Sequence, residues 1–356
     1  MKIKKTIGPA VKSICFGAFI LTASLFASCQ KDALNGNTSS EAVPTNIKLT
    51  SLAATQTSQY KLTAPIVLNG VSNITISGDS INGGSSVGIT LINCKNIHIT
   101  KSKIMNGTQR GIFVSSCTNV LIDSCFISNV AIGIYAHDSF QVRVMSNQLL
   151  DMKGPVGSFI QFDNITGGYN RICYNKCEDV IVNGSNPNAG DGISLYKSNG
   201  SPTDQIMVLG NSIRGGCTNT GASGMAGIVA GDVGGSYQDI ENNILVNTGY
   251  VGIQMQGGTN ITIKNNQIYS DRLPWSGLGL CSANYSGLPS NNNTITGNKV
   301  KWNSGYALCG CNFERDTVYK AGSGSSTNAV PTGWASNTVN APLTSSILPT
   351  VLITQK

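Results

Sequence analysis

Tyr196 and Lys197 stand side by side in mid-chain, and His137 is one of only two histidines in 356 residues. A phenol, an amine and an imidazole are groups that move protons once their surroundings shift their pKa values toward neutrality. Gln161, Asp163, Asn164, Arg214, Asp232, Gln254 and Gln256 add amides, carboxylates and a guanidinium. Together they could remove a proton beside a carboxylate. Lys197 would be the base if burial and a nearby Arg214 lower its pKa from about 10.4. Tyr196 would donate or take the proton, and His137, Gln161 and Asn164 would hold the carboxylate. Asp163 or Asp232 would orient Lys197 or bind a cation, calcium being the one that suits oxygen ligands. A plainer account also fits: His137 as a solvated side chain, Lys197 as one half of a surface ion pair with Asp232, and Tyr196, Gln254 and Gln256 as a passive floor.

These residues can meet only if the chain returns repeatedly to one place. A small residue followed by an aliphatic one recurs at Gly88-Ile89, Gly111-Ile112, Gly133-Ile134, Phe159-Ile160, Gly192-Ile193, Gly227-Ile228, Gly252-Ile253 and Gly279-Leu280, with spacings of 23, 22, 26, 33, 35, 25 and 27. Alternation follows each anchor, as in Ile112-Phe113-Val114, which is the pattern of a strand with one buried face. A second strand follows at Asn73-Ile74-Thr75-Ile76, Asn96-Ile97-His98-Ile99 and Gln141-Val142-Arg143-Val144. Three residues beyond it comes a file of Asp79, Ser102, Cys125, Asn147, Asn211 and Asn266, joined by Asn175, Asn243 and Asn298. A column of amides is what a buried turn needs when it repeats directly above itself, because stacked side chains satisfy its backbone groups. The fold expected is all-β: a single right-handed parallel β-helix of about nine to ten coils, its hand set by the bias of parallel crossovers.

In that stack the first, third and fourth positions after the anchor form outward columns. The first holds Tyr135, Gln161, Ser194, Val229 and Gln254; the third His137, Asp163, Tyr196, Gly231 and Gln256; the fourth Asp138, Asn164, Lys197 and Asp232. His98 falls on a different strand and is read as a bystander. The two longest coils carry extra chain at 177–191 and 215–226, expected to wall this face into a groove.

Gly-Ile-x-Leu, then Asn-Ile-x-Ile and an Asn turn, resembles the pectin-lyase-like β-helix superfamily over residues 57 to about 310. Within it, the run Asp191 to Ser198 with Gly234-Gly235-Ser236-Tyr237 is most similar to β-helical polysaccharide lyases acting on alginate. The resemblance implies β-elimination on an anionic uronate polysaccharide. Three other readings stand beside it: an inverting polysaccharide hydrolase using two carboxylates, for which Asp163 and Asp232 lie two coils apart but on different columns; a C5-epimerase; and a non-catalytic glycan-binding or adhesive β-helix.

The first 28 residues read as a signal peptide, with Lys2, Lys4, Lys5 and Lys12 before an apolar stretch from Ile14 to Ala27 that is short for a membrane span. It ends Leu25-Phe26-Ala27-Ser28-Cys29, similar to a lipoprotein box, with Cys29 as the lipidated residue; an ordinary cleavage near Ala27 is the alternative. Gln30-Lys31-Asp32 looks like an export tag, and 29–48 reads as a flexible tether. These features imply an outer-membrane lipoprotein on the cell surface, with a periplasm-facing or secreted form as alternatives, and a membrane contact through the lipid alone. The β-helix would fill 49–356, with a capping segment from about 312 in which Trp334 seals the last coil. The formal charge of +7 includes those four leader lysines, leaving +3, and no Lys/Arg run follows, so no nucleic-acid partner is expected. A monomer is expected.

Eleven cysteines include Cys15 and Cys29, leaving nine in the folded part. Cys94 and Cys117 sit five residues after successive anchors and would stack within disulfide reach; Cys281 and Cys309 form a second such pair. Reduced, buried thiols are the equal alternative. Cys309-x-Cys311 lacks partners for a metal.

Overall fold

A computed structural model describes residues 60–153, 157–179, 190–216, 226–273, 277–282, 288–304 and 331–354. The chain winds as a right-handed parallel β-helix, each coil giving one strand to each of three parallel sheets. In the first complete coil these are Ile66–Asn69, Ser72–Ser77 and Asp79–Gly84. The anchors define the first sheet, called here the anchor sheet, with nine strands among the described residues. Its register pairs Ile89 with Ile112, Ile112 with Ile134, Ile134 with Ile160, Ile160 with Ile193, Ile193 with Ile228 and Ile228 with Ile253. Every one of these side chains is fully buried. Each contributes about 1.5–3 kcal/mol by leaving water, and a one-residue slip of any coil would turn its anchor outward.

The small residue before each anchor follows from the closeness of adjacent coils. A Cβ at Gly111 or Gly192 would collide with the carbonyl oxygen of the glycine one coil on, Gly133 or Gly227. The amide file lies in the turn between the second and third sheets. Asn175, Asn211, Asn243, Asn266 and Asn298 each accept, through Oδ1, both the backbone N–H and the Nδ2–H of the asparagine one coil before. Each Nδ2 also donates to a carbonyl of the preceding coil, as Asn211 does to Ile172 at 2.8 Å. The file runs one rung further than the sequence indicates, to Asn337.

At the C-terminal end, buried Trp334 belongs to the main core cluster, as does Trp302. The tail then crosses the outside of the third sheet, packing Leu348, Leu352 and Ile353 on Phe126, Val246 and Tyr269. At the other end Leu62 is 82% exposed, so that residue covers nothing. Residues 1–59, including the leader, Cys29 and the tether, lie outside the described residues, as does Cys309. Among the described residues no helix is long and apolar enough to cross a membrane.

Cys94 and Cys117 stack as expected but are free thiols. The Cys94 N–H donates to Cys117 Sγ at 3.2 Å, and that thiol donates to Ser115 O, so the sulfur takes an amide-like place in a turn rather than forming a disulfide. Cys281 is likewise buried, whereas Cys173 is disulfide-bonded.

Candidate functional site

The outer face of the anchor sheet carries a titratable file across four consecutive strands: Ile132–His137, Ile160–Asp163, Ile193–Tyr196 and Ala226–Asp232. Register pairs His137 with Asp163, Asp163 with Tyr196, and Tyr196 with Asp232. The last pairing corrects the sequence count, which set Gly231 in this column and Asp232 in the next. A register shift between Ser194 and Tyr196 inserts one residue in the facing strand. Gly231 turns into the left-handed region at φ 65, where a glycine is unstrained. Asp232 therefore moves into the file. Val233 takes the fourth position instead, at φ 50, beside Asp138, Asn164 and Lys197 at φ 46, 54 and 49.

Asp163 is the hub. The Tyr135 hydroxyl donates to its Oδ2 at 2.5 Å, and His137 Nδ1 lies 3.3 Å from the same oxygen, outside hydrogen-bond geometry. His137 Nε2 contacts Asp138 at 3.0 Å, and Asn164 Nδ2 donates to the other Asp138 oxygen at 2.5 Å. Burial, and the bond given to Asp163, push the Tyr135 phenol far above its ordinary range, so it serves as a donor and not as a base. Phe113, Tyr135 and His137 stack, with centroids 5.7 and 6.2 Å apart. Arg110 lies over the first two rings, at 5.0 and 4.6 Å.

Tyr196 is half-buried and Lys197 exposed, with the ammonium 5.1 Å from the Tyr196 ring. Lys197 meets Asp232 only through its backbone N–H, bonded to the Asp232 carbonyl, and takes no carboxylate among the described residues. Arg214, expected to lower the pKa of Lys197, lies elsewhere. It stands on the third sheet, paired with Glu178 at 2.9 Å and bonded to the carbonyls of Pro349 and Thr350 in the tail. Gln161 is half-buried on the outer face. Gln254 is 2% exposed and accepts a bond from half-buried Gln256, so it is no open floor. The walls expected of the long coils fall largely on 180–189 and 217–225, outside the described residues.

Of the four described carboxyls whose pKa is raised, Asp179, Asp191, Asp232 and Asp239, two lie on or just before the strands of this face. Burial pushes Asp232 up, opposed by the Val233 N–H. Burial also takes Asp191 to about 7, with the bond from Ala226 N–H opposing and the charge of Asp232 adding to the rise. Asp191, Tyr135, Asp138 and Arg110 were not singled out as site residues from the sequence; the usable signal for Tyr135 was its alternation with His137 on one face. Among the described residues no three or more His, Cys, Asp and Glu side chains gather as a metal-binding group.

A family model described as "Right handed beta helix region" matches residues 17–166 and 64–228. No curated protein matches. Among solved structures the chain is similar to the catalytic domain of GH87 alpha-1,3-glucanase in complex with nigerose, at 15% identity and a TM-score of 0.46, over 71% of this chain and 49% of that one. It is also similar to DFA-IIIase from Arthrobacter chlorophenolicus A6 in complex with GF2, at 14% identity and a TM-score of 0.40, over 76% and 59%. A third is the catalytic unit of a thermostable GH87 alpha-1,3-glucanase from Streptomyces thermodiastaticus strain HF3-3, at 15% identity and 0.37, over 66% and 50%. The chain thus spans about half the length of the solved chains it resembles.

Proposed function

The chain belongs to the right-handed β-helix family, and from that premise we propose that it is a polysaccharide hydrolase working with inversion on the outer face of the anchor sheet. One observation carries the reading: Asp163 and Asp232 share a file, two strands apart with Tyr196 between them. Parallel-strand spacing sets their backbones about 9.5 Å apart. Inverting glycosidases hold two carboxyl groups roughly 6.5–9.5 Å apart, leaving room for sugar and water between. Asp232, whose carboxyl burial pushes up, is assigned as the acid that protonates the leaving oxygen. Asp163, the acceptor of the Tyr135 bond, takes a proton from the attacking water. Tyr196 offers its ring to the sugar between them.

A second reading, β-elimination on a uronate polysaccharide, draws on Lys197. Its ammonium has no carboxylate partner among the described residues and could meet the substrate carboxylate. Against it stands the acidity of the face: the carboxylates of Asp138 and Asp163 would repel a uronate at the point of cleavage. The leader and Cys29 extend the proposal to a lipid-anchored enzyme at the cell surface, which metabolic labelling with palmitate would test by comparing wild type with Cys29→Ala.

The decisive assay incubates the protein with neutral glucans, alginate and polygalacturonate. New reducing ends without ultraviolet absorbance identify hydrolysis, whereas absorbance from an unsaturated end identifies the lyase. Asp163→Asn and Asp232→Asn should each lower hydrolysis by about 10²–10⁴-fold. Full activity in both would remove the pair from the mechanism.

A further inference from the structure

Toward the N-terminal end of the same face, Arg110 presents a cation whose partners are incomplete. Its guanidinium carbon lies 5.0 Å from the Phe113 ring centroid and 4.6 Å from that of Tyr135, cation–π contacts that use no N–H of its fork. The Arg110 guanidinium makes no hydrogen bond and no ion pair among the described residues, and its buried Nε has no partner. The acid of the file that Tyr135 reaches, Asp163, takes the Tyr135 hydroxyl and not the guanidinium. An arginine held rigid by two rings, and left without a counter-ion beside an acidic file, is prepared for an anion from outside the chain.

Position supports the same conclusion. Arg110 and Phe113 share the strand Arg110–Ser115, two strands before Asp163, hence about 9.5 Å along the stack axis by strand spacing. That is far enough from the carboxyl pair for a neighbouring sugar, not the one being cleaved, to occupy it. Phe113 and Tyr135 are each partly open to solvent and can meet a sugar ring by their edges while the guanidinium fork grips a planar anion.

We propose that Arg110, Phe113 and Tyr135 form a subsite for an acidic sugar, one carrying a carboxylate or sulfate, in a glycan cut at a neighbouring linkage by the acidic file. The inference rests on the hydrolase reading for its orientation and narrows its substrate to glycans that join acidic and neutral units. The repulsive file and the attractive arginine then fix which unit lies where.

The test uses the Asp163→Asn chain, which should bind without cutting, on a microarray of polygalacturonate, alginate, sulfated galactan, neutral galactan and neutral glucans. Retention of at least one acidic polymer is expected. Adding Arg110→Gln should weaken that retention roughly tenfold or more and flatten its dependence on salt, while neutral polymers change little. Arg110→Lys, which keeps the charge without the fork, should recover only part of the affinity, and thermal melting of each variant checks that the fold survives. Acidic retention undiminished in Arg110→Gln, or no acidic polymer retained at all, would overturn the proposal. Failure of the hydrolase reading looks different: Asp163→Asn would then cut as wild type does, whatever Arg110→Gln does to binding.

Discussion

Two vertical files run through this molecule, built by the same stacking and put to opposite ends. In the turn between the second and third sheets, asparagine repeats rung after rung from Asn147 to Asn298, each buried and each bonding the next. On the outer face of the anchor sheet the register is equally strict, yet the residue changes at every coil: Ser115, His137, Asp163, Tyr196, Asp232. A buried turn poses an identical demand on every coil and accepts one answer. A solvent-facing file has no such demand, so varied chemical groups there are free to serve something outside the chain.

The sharpest way to break this contrast is to damage each file and read both stability and activity. Asn211→Ala should cost about 3–5 kcal/mol, since it strips partners from the Asn175 N–H and the Ile172 carbonyl at once, and each buried group left unsatisfied costs about 1–3 kcal/mol. Equilibrium urea denaturation would measure it. Below the shifted transition, glycan cleavage should survive. Asp163→Asn should do the reverse, with activity lost and the urea midpoint nearly unmoved. A large stability loss in Asp163→Asn would place that carboxylate among the structural groups.

The same contrast explains what the sequence disclosed. Anchors and asparagines recur once per coil, so their register is countable in the sequence. The carboxylate file was legible only in part, because the count assumed unbroken alternation and Gly231 adds a residue. Arg214 was misassigned for a related reason: seventeen positions from Lys197 is less than one coil, and those positions lead to another sheet. Gln254 fits the outward column by pattern but is buried, and alternation alone cannot tell a covered outer face from an open one. The thiol pair was legible as a stack, while its redox state depended on whether the sulfurs were already engaged as hydrogen-bond partners.

A middling effect should come from Asp191, which belongs to neither file. Its folded pKa is raised from 3.8 to about 7, so the folded chain holds a proton that the unfolded chain releases. The stability this provides is complete below about pH 4 and is lost as pH rises through 7, because the native state binds more protons over that window. Urea midpoints measured from pH 4 to pH 8 should therefore fall. Asp191→Asn keeps an oxygen for the Ala226 N–H and cannot ionise, so its midpoints should fall less steeply. Equal slopes would show that other raised carboxyls, Asp179 among them, account for the whole trend.

The smallest effect should come from Cys117→Ser, and its smallness is informative. Cys117 Sγ accepts the Cys94 N–H and donates to Ser115 O; one coil on, Ser139 Oγ accepts the Cys117 N–H and donates to the His137 carbonyl. Sulfur and oxygen thus do the same work on adjacent rungs, and the rung that uses oxygen supports the backbone of a site residue. Serine at 117 would reproduce both bonds at shorter range and lose only the apolar burial of sulfur, for a change under about 1 kcal/mol in the urea midpoint. Burial raises the thiol pKa, so Cys117 should also resist alkylation until the protein unfolds. A loss of several kcal/mol, or rapid alkylation of the native chain, would mean that this turn is held by something other than its vertical hydrogen bonds.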